Sequence, residues 1–114
     1  MKKETDIRYL PGIENCSDSE FIKVMTGSTG LEKVCNVNWT EYSYVPEVDL
    51  RLAFSDNVLA LLYTVKEEHI LGSVLDDNGP VWEDSCVEFF VKSPAGEGYF
   101  NFEVNCIGTA LAAF

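Results

Sequence analysis

The chain has 114 residues, 46% of them hydrophobic and 12% aromatic, which is the composition of one globular domain and not of a disordered segment. Eight Lys and Arg stand against 19 Asp and Glu, for a formal net charge of −11. That charge repels a nucleic-acid backbone and an anionic membrane surface, so neither is expected as a partner, and no apolar run reaches the ~20 residues of a membrane-spanning helix.

Residues 1–30 read as an irregular segment with one short helix. Lys2 and Lys3 are followed by Glu4 and Asp6 and by no apolar stretch, so no export signal is visible and the expected location is cytoplasmic unless the chain is processed. Pro11-Gly12 marks a turn. Ser17-Asp18-Ser19-Glu20 has capping-box spacing ahead of Phe21, Ile22, Val24 and Met25, which predicts a helix near 18–26, ended by Gly27-Ser28-Thr29-Gly30.

From residue 31 the period is two. Val48, Leu50, Leu52 and Phe54 alternate with Asp49, Arg51 and Ala53, Ser55-Asp56-Asn57 gives a tight connection, and 58–65 is apolar on both faces, which predicts a β-hairpin. A long acidic loop follows over 66–80, carrying Glu67, Glu68, Asp76 and Asp77. A strand over 84–92 places Val87, Phe89 and Val91 on one face. Another over 99–106 places Phe100, Phe102, Val104 and Cys106 on one face, with Tyr99, Asn101, Glu103 and Asn105 on the other. A last strand is expected over 109–114. The apolar residues Val87, Phe89, Val91, Phe100, Phe102 and Val104 are expected to point inward.

The pattern predicts an all-β, antiparallel β-sandwich over 31–114. The last strand is apolar, so its open edge is expected to pair with further sequence or with another chain. The four cysteines, Cys16, Cys35, Cys86 and Cys106, form no CxxC or Cys/His cluster; free thiols are expected and a zinc site is not.

Three segments carry a family likeness. Residues 55–68 (Ser55-Asp56-Asn57 through Lys66-Glu67-Glu68), Val81-Trp82-Glu83-Asp84-Ser85-Cys86-Val87-Glu88-Phe89-Phe90-Val91, and Gly98-Tyr99-Phe100-Asn101-Phe102-Glu103-Val104-Asn105 together resemble the family 9 carbohydrate-binding modules, part of a wider DOMON-like set. Asn38-Trp39 and Tyr44-Val45-Pro46 are similar to segments of uncharacterised bacterial relatives. The resemblance implies a two-sheet sandwich that binds sugars, spanning the first half to two-thirds of a family domain and truncated at its C-terminal end. By position, Trp82 matches one of two clamp tryptophans and Glu88 a sugar-binding carboxylate. A family arginine falls near Asn101, and the second clamp tryptophan lies in the part not covered.

Stacking on an aromatic face and planar polar groups for hydroxyls are what sugar recognition needs. The candidate ligand-binding residues are therefore Trp82, Glu88, Asn101, Glu103 and, on an earlier strand, Arg51; Trp39 and Tyr44 read as packing residues. A plain solvated face fits the same alternation. The function expected is non-catalytic binding of a neutral sugar or glycan. The alternatives are a structural or protein-interaction sandwich, or an accessory domain of a glycoside hydrolase. Glu88 and Glu103 could in principle form a glycosidase pair, but the resembled family binds and does not cut. No cofactor is expected. A structural calcium in the acidic loop is the one alternative, because a DOMON-like haem would need Met25 and His69, which nothing in the sequence brings together.

Overall fold

The computed structural model describes residues 4–35 and 44–114; Asn38 and Trp39 lie outside the described residues. The architecture is mostly strands in two sheets with one short helix, and the chain divides into two compact units, 1–67 and 68–114. Among the described residues no helix is long and apolar enough to cross a membrane.

In the first unit, β1 is Arg8–Tyr9, α1 is Asp18–Ser28, β2 is Glu32–Lys33, β3 is Glu47–Phe54 and β4 is Leu59–Lys66. The hairpin forms as the period predicts: β3 and β4 pair antiparallel from Glu47 opposite Lys66 to Phe54 opposite Leu59. Ser55 closes the turn, its N–H donating to Val58 O at 3.0 Å and its Oγ accepting from Asn57 N and Val58 N. Glu14 accepts from Ser55 Oγ and Asn57 Nδ2 and ties the turn to the N-terminal segment. The predicted helix forms with its predicted cap, Ser17 Oγ accepting from Glu20 N at 3.3 Å. It runs two residues past 26, because Thr29 ends it by donating both N–H and Oγ1 to Met25 O.

The core of this unit is Ile13, Met25, Ala53 and Ala60, with Leu10, Cys16, Phe21, Val24 and Leu62 packed against it. Ala53 and Ala60 are cross-strand partners, and two small residues at that spot let helix and turn approach the sheet. β1 runs parallel to β3, so this sheet is mixed where alternation predicted antiparallel pairing alone. A two-residue strand has no period to read, and its direction is set by the distant strand it meets.

In the second unit, β5 is Cys86–Val91, β6 is Phe100–Asn105 and β7 is Ala110–Ala113, in antiparallel order β5-β6-β7. The loop before β5 folds onto the outer side of β7. Asp77 Oδ1 accepts from Ala110 N, Asn78 Oδ1 accepts from Ala112 N, and Asn78 N donates to Ala110 O. Asn78 takes a left-handed φ of 62° to do so, a conformation asparagine tolerates. The edge that the sequence presents as bare therefore has loop partners at Ala110 and Ala112.

The depth of the two faces corrects an expectation. Phe100 and Phe102 are 49% and 39% exposed, whereas Glu103 and Asn105 on the opposite face are 7% and 5% exposed. Alternation separates the faces of a strand without saying which is covered. Here Asn105 reaches into the 71–79 loop, while the Phe100 face carries Phe114, with ring centroids 4.9 Å apart. Val87, Phe89 and Val91 on β5 are half-buried.

Candidate functional site

The second unit is organised by hydrogen bonds around Asp84. Its carboxylate accepts from Ser73 N at 2.9 Å, Ser73 Oγ at 2.8 Å, Val74 N at 2.8 Å and Asn105 Nδ2 at 3.0 Å. These donors, led by the Val74 amide, hold the Asp84 carboxyl below its ordinary pKa. Asn105 Nδ2 also donates to Val74 O, and Asn105 Oδ1 accepts from Ile107 N and Thr109 N. Thr109 Oγ1 donates to Val74 O at 2.7 Å. Ser85 adds a backbone and a side-chain bond to Leu71. At Gly72 a Cβ would come within 2.7 Å of Cys106 Sγ and 3.0 Å of Ile107, so a side chain there would push one of them aside.

This knot fixes the 3₁₀ turn Val81–Glu83. Val81 is fully buried, and the next residue, Trp82, is 58% exposed. A buried anchor beside an exposed indole holds the ring on a fixed backbone.

On β5 and β6 the register puts Glu88 directly opposite Glu103, and Phe90 opposite Asn101. Like charges opposite one another across strands are unfavourable. Desolvation first, then the Glu103 charge and a hydrogen bond with Glu103, push the Glu88 carboxyl above its ordinary pKa. Asn101 Nδ2 donates to Glu103 Oε1 at 3.2 Å, while Glu103 Oε2 and Asn101 Oδ1 are buried acceptors with no partner. Burying an acceptor without a donor is costly.

Of the five residues singled out in the sequence, Glu88, Asn101 and Glu103 form one cluster, and Trp82 stands on the turn leading into β5. Arg51 belongs to the first unit, where its Nη1 donates to Thr29 O at 2.7 Å and closes the C-terminal end of α1, a favourable place for a cation. Tyr44 is 54% exposed. All four cysteines are free. Among the described residues no group of three or more His, Cys, Asp or Glu side chains gathers as metal ligands do; Asp77 is engaged with Ala110 N, and Met25 is in the apolar core.

Sequence reasoning missed the roles of Asp84, Asn105 and Thr109, whose meeting depends on tertiary register. It also missed Phe90 and Tyr99. The signal available for that pair was two aromatics on the polar face of adjacent strands.

The sequence profile of carbohydrate-binding family 9 matches residues 20–114. No curated protein matches the chain. A solved structure from Bacteroides uniformis, a protein assigned provisionally to carbohydrate binding, is similar at 35% identity and a TM-score of 0.78. The match covers 93% of this chain and 49% of the neighbour, so this chain spans about half the neighbour's length.

Proposed function

The chain belongs to carbohydrate-binding family 9, and on that premise we propose that it binds a sugar or glycan without cutting it, through Trp82 and the Glu88, Asn101 and Glu103 face. The observation that carries this reading is the pair of buried, unpartnered acceptors, Glu103 Oε2 and Asn101 Oδ1, in the same unit as an exposed tryptophan. Sugar hydroxyls donate to such acceptors, and an indole face accepts the C–H face of a pyranose.

The reading is non-catalytic because the family to which the chain belongs is a carbohydrate-binding one. The reading needs no cofactor.

Titration calorimetry with soluble oligosaccharides tests it. Wild type should bind at least one of them, and Trp82→Ala should weaken that binding by about 2 kcal/mol, as loss of an aromatic anchor does. Equal binding by Trp82→Ala would make the indole a bystander. A second reading, a protein-interaction domain, is favoured by the exposed Phe100, Phe102 and Phe114 cluster. Absence of binding to every glycan on an array would turn the conclusion to it.

A further inference from the structure

The polar face of β5 and β6 has an order along the strands. It runs from the buried Asn105, through Glu88 opposite Glu103, to Asn101 opposite Phe90, and then to Tyr99. Phe90 and Tyr99 are each more than half exposed, with ring centroids 5.8 Å apart and planes tilted by 59°. An accessible aromatic pair thus adjoins the carboxylates, on the side away from the Asp84 knot.

The cluster is chemically one-sided. Glu88 and Glu103 are carboxylates, and one of the two N–H groups of Asn101 is spent on Glu103 Oε1, so what remains on offer is mostly acceptors. The residue opposite Glu103 on β7 is Leu111, which brings no donor. Residues 68–114 hold eight Asp and Glu and a single Lys or Arg, Lys92. A hydroxyl brings one donor and no charge. An alkylammonium brings three donors and a positive charge, which would satisfy several acceptors at once and offset the opposition of like charges across the strands.

We propose that the polar face of β5 and β6 binds an amino sugar, its ring against Phe90 and Tyr99 and its protonated amine against Glu103, Glu88 and Asn101 Oδ1. The proposal rests on the sugar-binding reading, with Phe90 and Tyr99 taking a different unit of the glycan from the one on Trp82, and names the sugar class. An N-acetylated sugar is the disfavoured relative: acetylation removes the charge, leaves one N–H donor and adds a carbonyl acceptor that faces acceptors.

Three tetrasaccharides of the same linkage, from chitosan, cellulose and chitin, differ only in the group at C2 and make a matched series. Titrated into the full chain at about pH 6, where an alkylamine is protonated, the chitosan tetramer should bind at least about tenfold more tightly than the cellulose tetramer. The chitin tetramer should bind most weakly. Added salt should weaken the chitosan tetramer selectively. Glu103→Gln should bring the chitosan and cellulose tetramers to within about twofold of each other, a loss of one charge-assisted contact. Glu88→Gln, at an exposed position, is the second variant and should reduce the preference in the same direction. Phe90→Ala should weaken every tetramer that binds.

The proposal is overturned if the three tetramers bind alike, or if both glutamine variants keep the preference. It is also overturned if Glu97→Gln, in the β5–β6 turn, erodes the preference as much as Glu103→Gln does, since the attraction would then belong to net charge. Binding of the cellulose tetramer without an amino-sugar preference would sink this inference and leave the sugar-binding reading standing. Failure of all three, and of every other glycan, would sink both.

Discussion

The two units of the chain are held together by different physics. The first has an apolar centre, in which Met25 is fully buried between Ile13 and the small pair Ala53 and Ala60. The second buries a single hydrophobic residue completely, Val81, and closes instead around Asp84, Asn105 and Thr109. Apolar contacts are non-directional and tolerate small shifts. Hydrogen bonds fix angles as well as distances. The unit that carries the candidate ligand residues is therefore the one whose loops are set by directional bonds, as a surface that must hold a ring and a carboxylate in fixed relation requires.

The contrast can be broken most strongly at Met25. Met25→Ala should lower stability by about 2–5 kcal/mol in urea unfolding, through lost burial and a residual cavity. A loss under about 1 kcal/mol would show that the first unit has no tightly packed centre. Asn105→Ala should cost about 1–3 kcal/mol, because it strips partners from buried groups. Its signature differs in kind: amides of Ser73, Val74 and Thr109 should exchange with solvent faster while those of β3 and β4 hold. Uniform acceleration across both hairpins would contradict the division.

Acid should separate the units next. Asp84 has a folded pKa below its ordinary 3.8, so it contributes stability above that value and loses it as pH falls through the folded value. Asp84→Asn should flatten the acid limb of a melting-temperature profile. Glu88 has the opposite sign. Its folded pKa lies above 4.5, so the associated penalty is absent below 4.5 and grows as pH rises through the folded value. Glu88→Gln should therefore melt higher than wild type at neutral pH, with the difference closing in acid; a constant offset would show that the pair is not titrating. The smallest stability effect belongs to Trp82→Ala, within about 0.5 kcal/mol because the ring is mostly exposed. Its effect on sugar binding is the larger one, and a large loss of stability would mean that the indole is packing.

What could be read from the sequence follows from the range of each signal. The β3–β4 hairpin was legible because period two and a short connection, four residues in the structure, are local. So was the start of α1, because Ser17 and Glu20 are three residues apart. The Glu88, Asn101 and Glu103 cluster was legible as a face, since alternation on neighbouring strands fixes which side chains share one. Which face of β6 lies deeper was not legible, because that depends on what covers the strand. The Asp84 knot was not legible either: Asn105 reaches Asp84 only once Cys86 lies opposite Asn105. Arg51 looked like a site residue because a cation in a strand suggests a ligand, and its contact with the end of α1 depends on where the helix stops.

The side chains of Asp77 and Asn78 have a consequence for colloidal behaviour. By occupying the amides of Ala110 and Ala112 they act as a surrogate neighbour for a strand whose own residues, Ala110-Leu111-Ala112-Ala113, are uncharged. Two adjacent polar residues in a turn thus occupy backbone donors that another molecule's strand would otherwise pair with, from more than thirty residues upstream of the strand they cover.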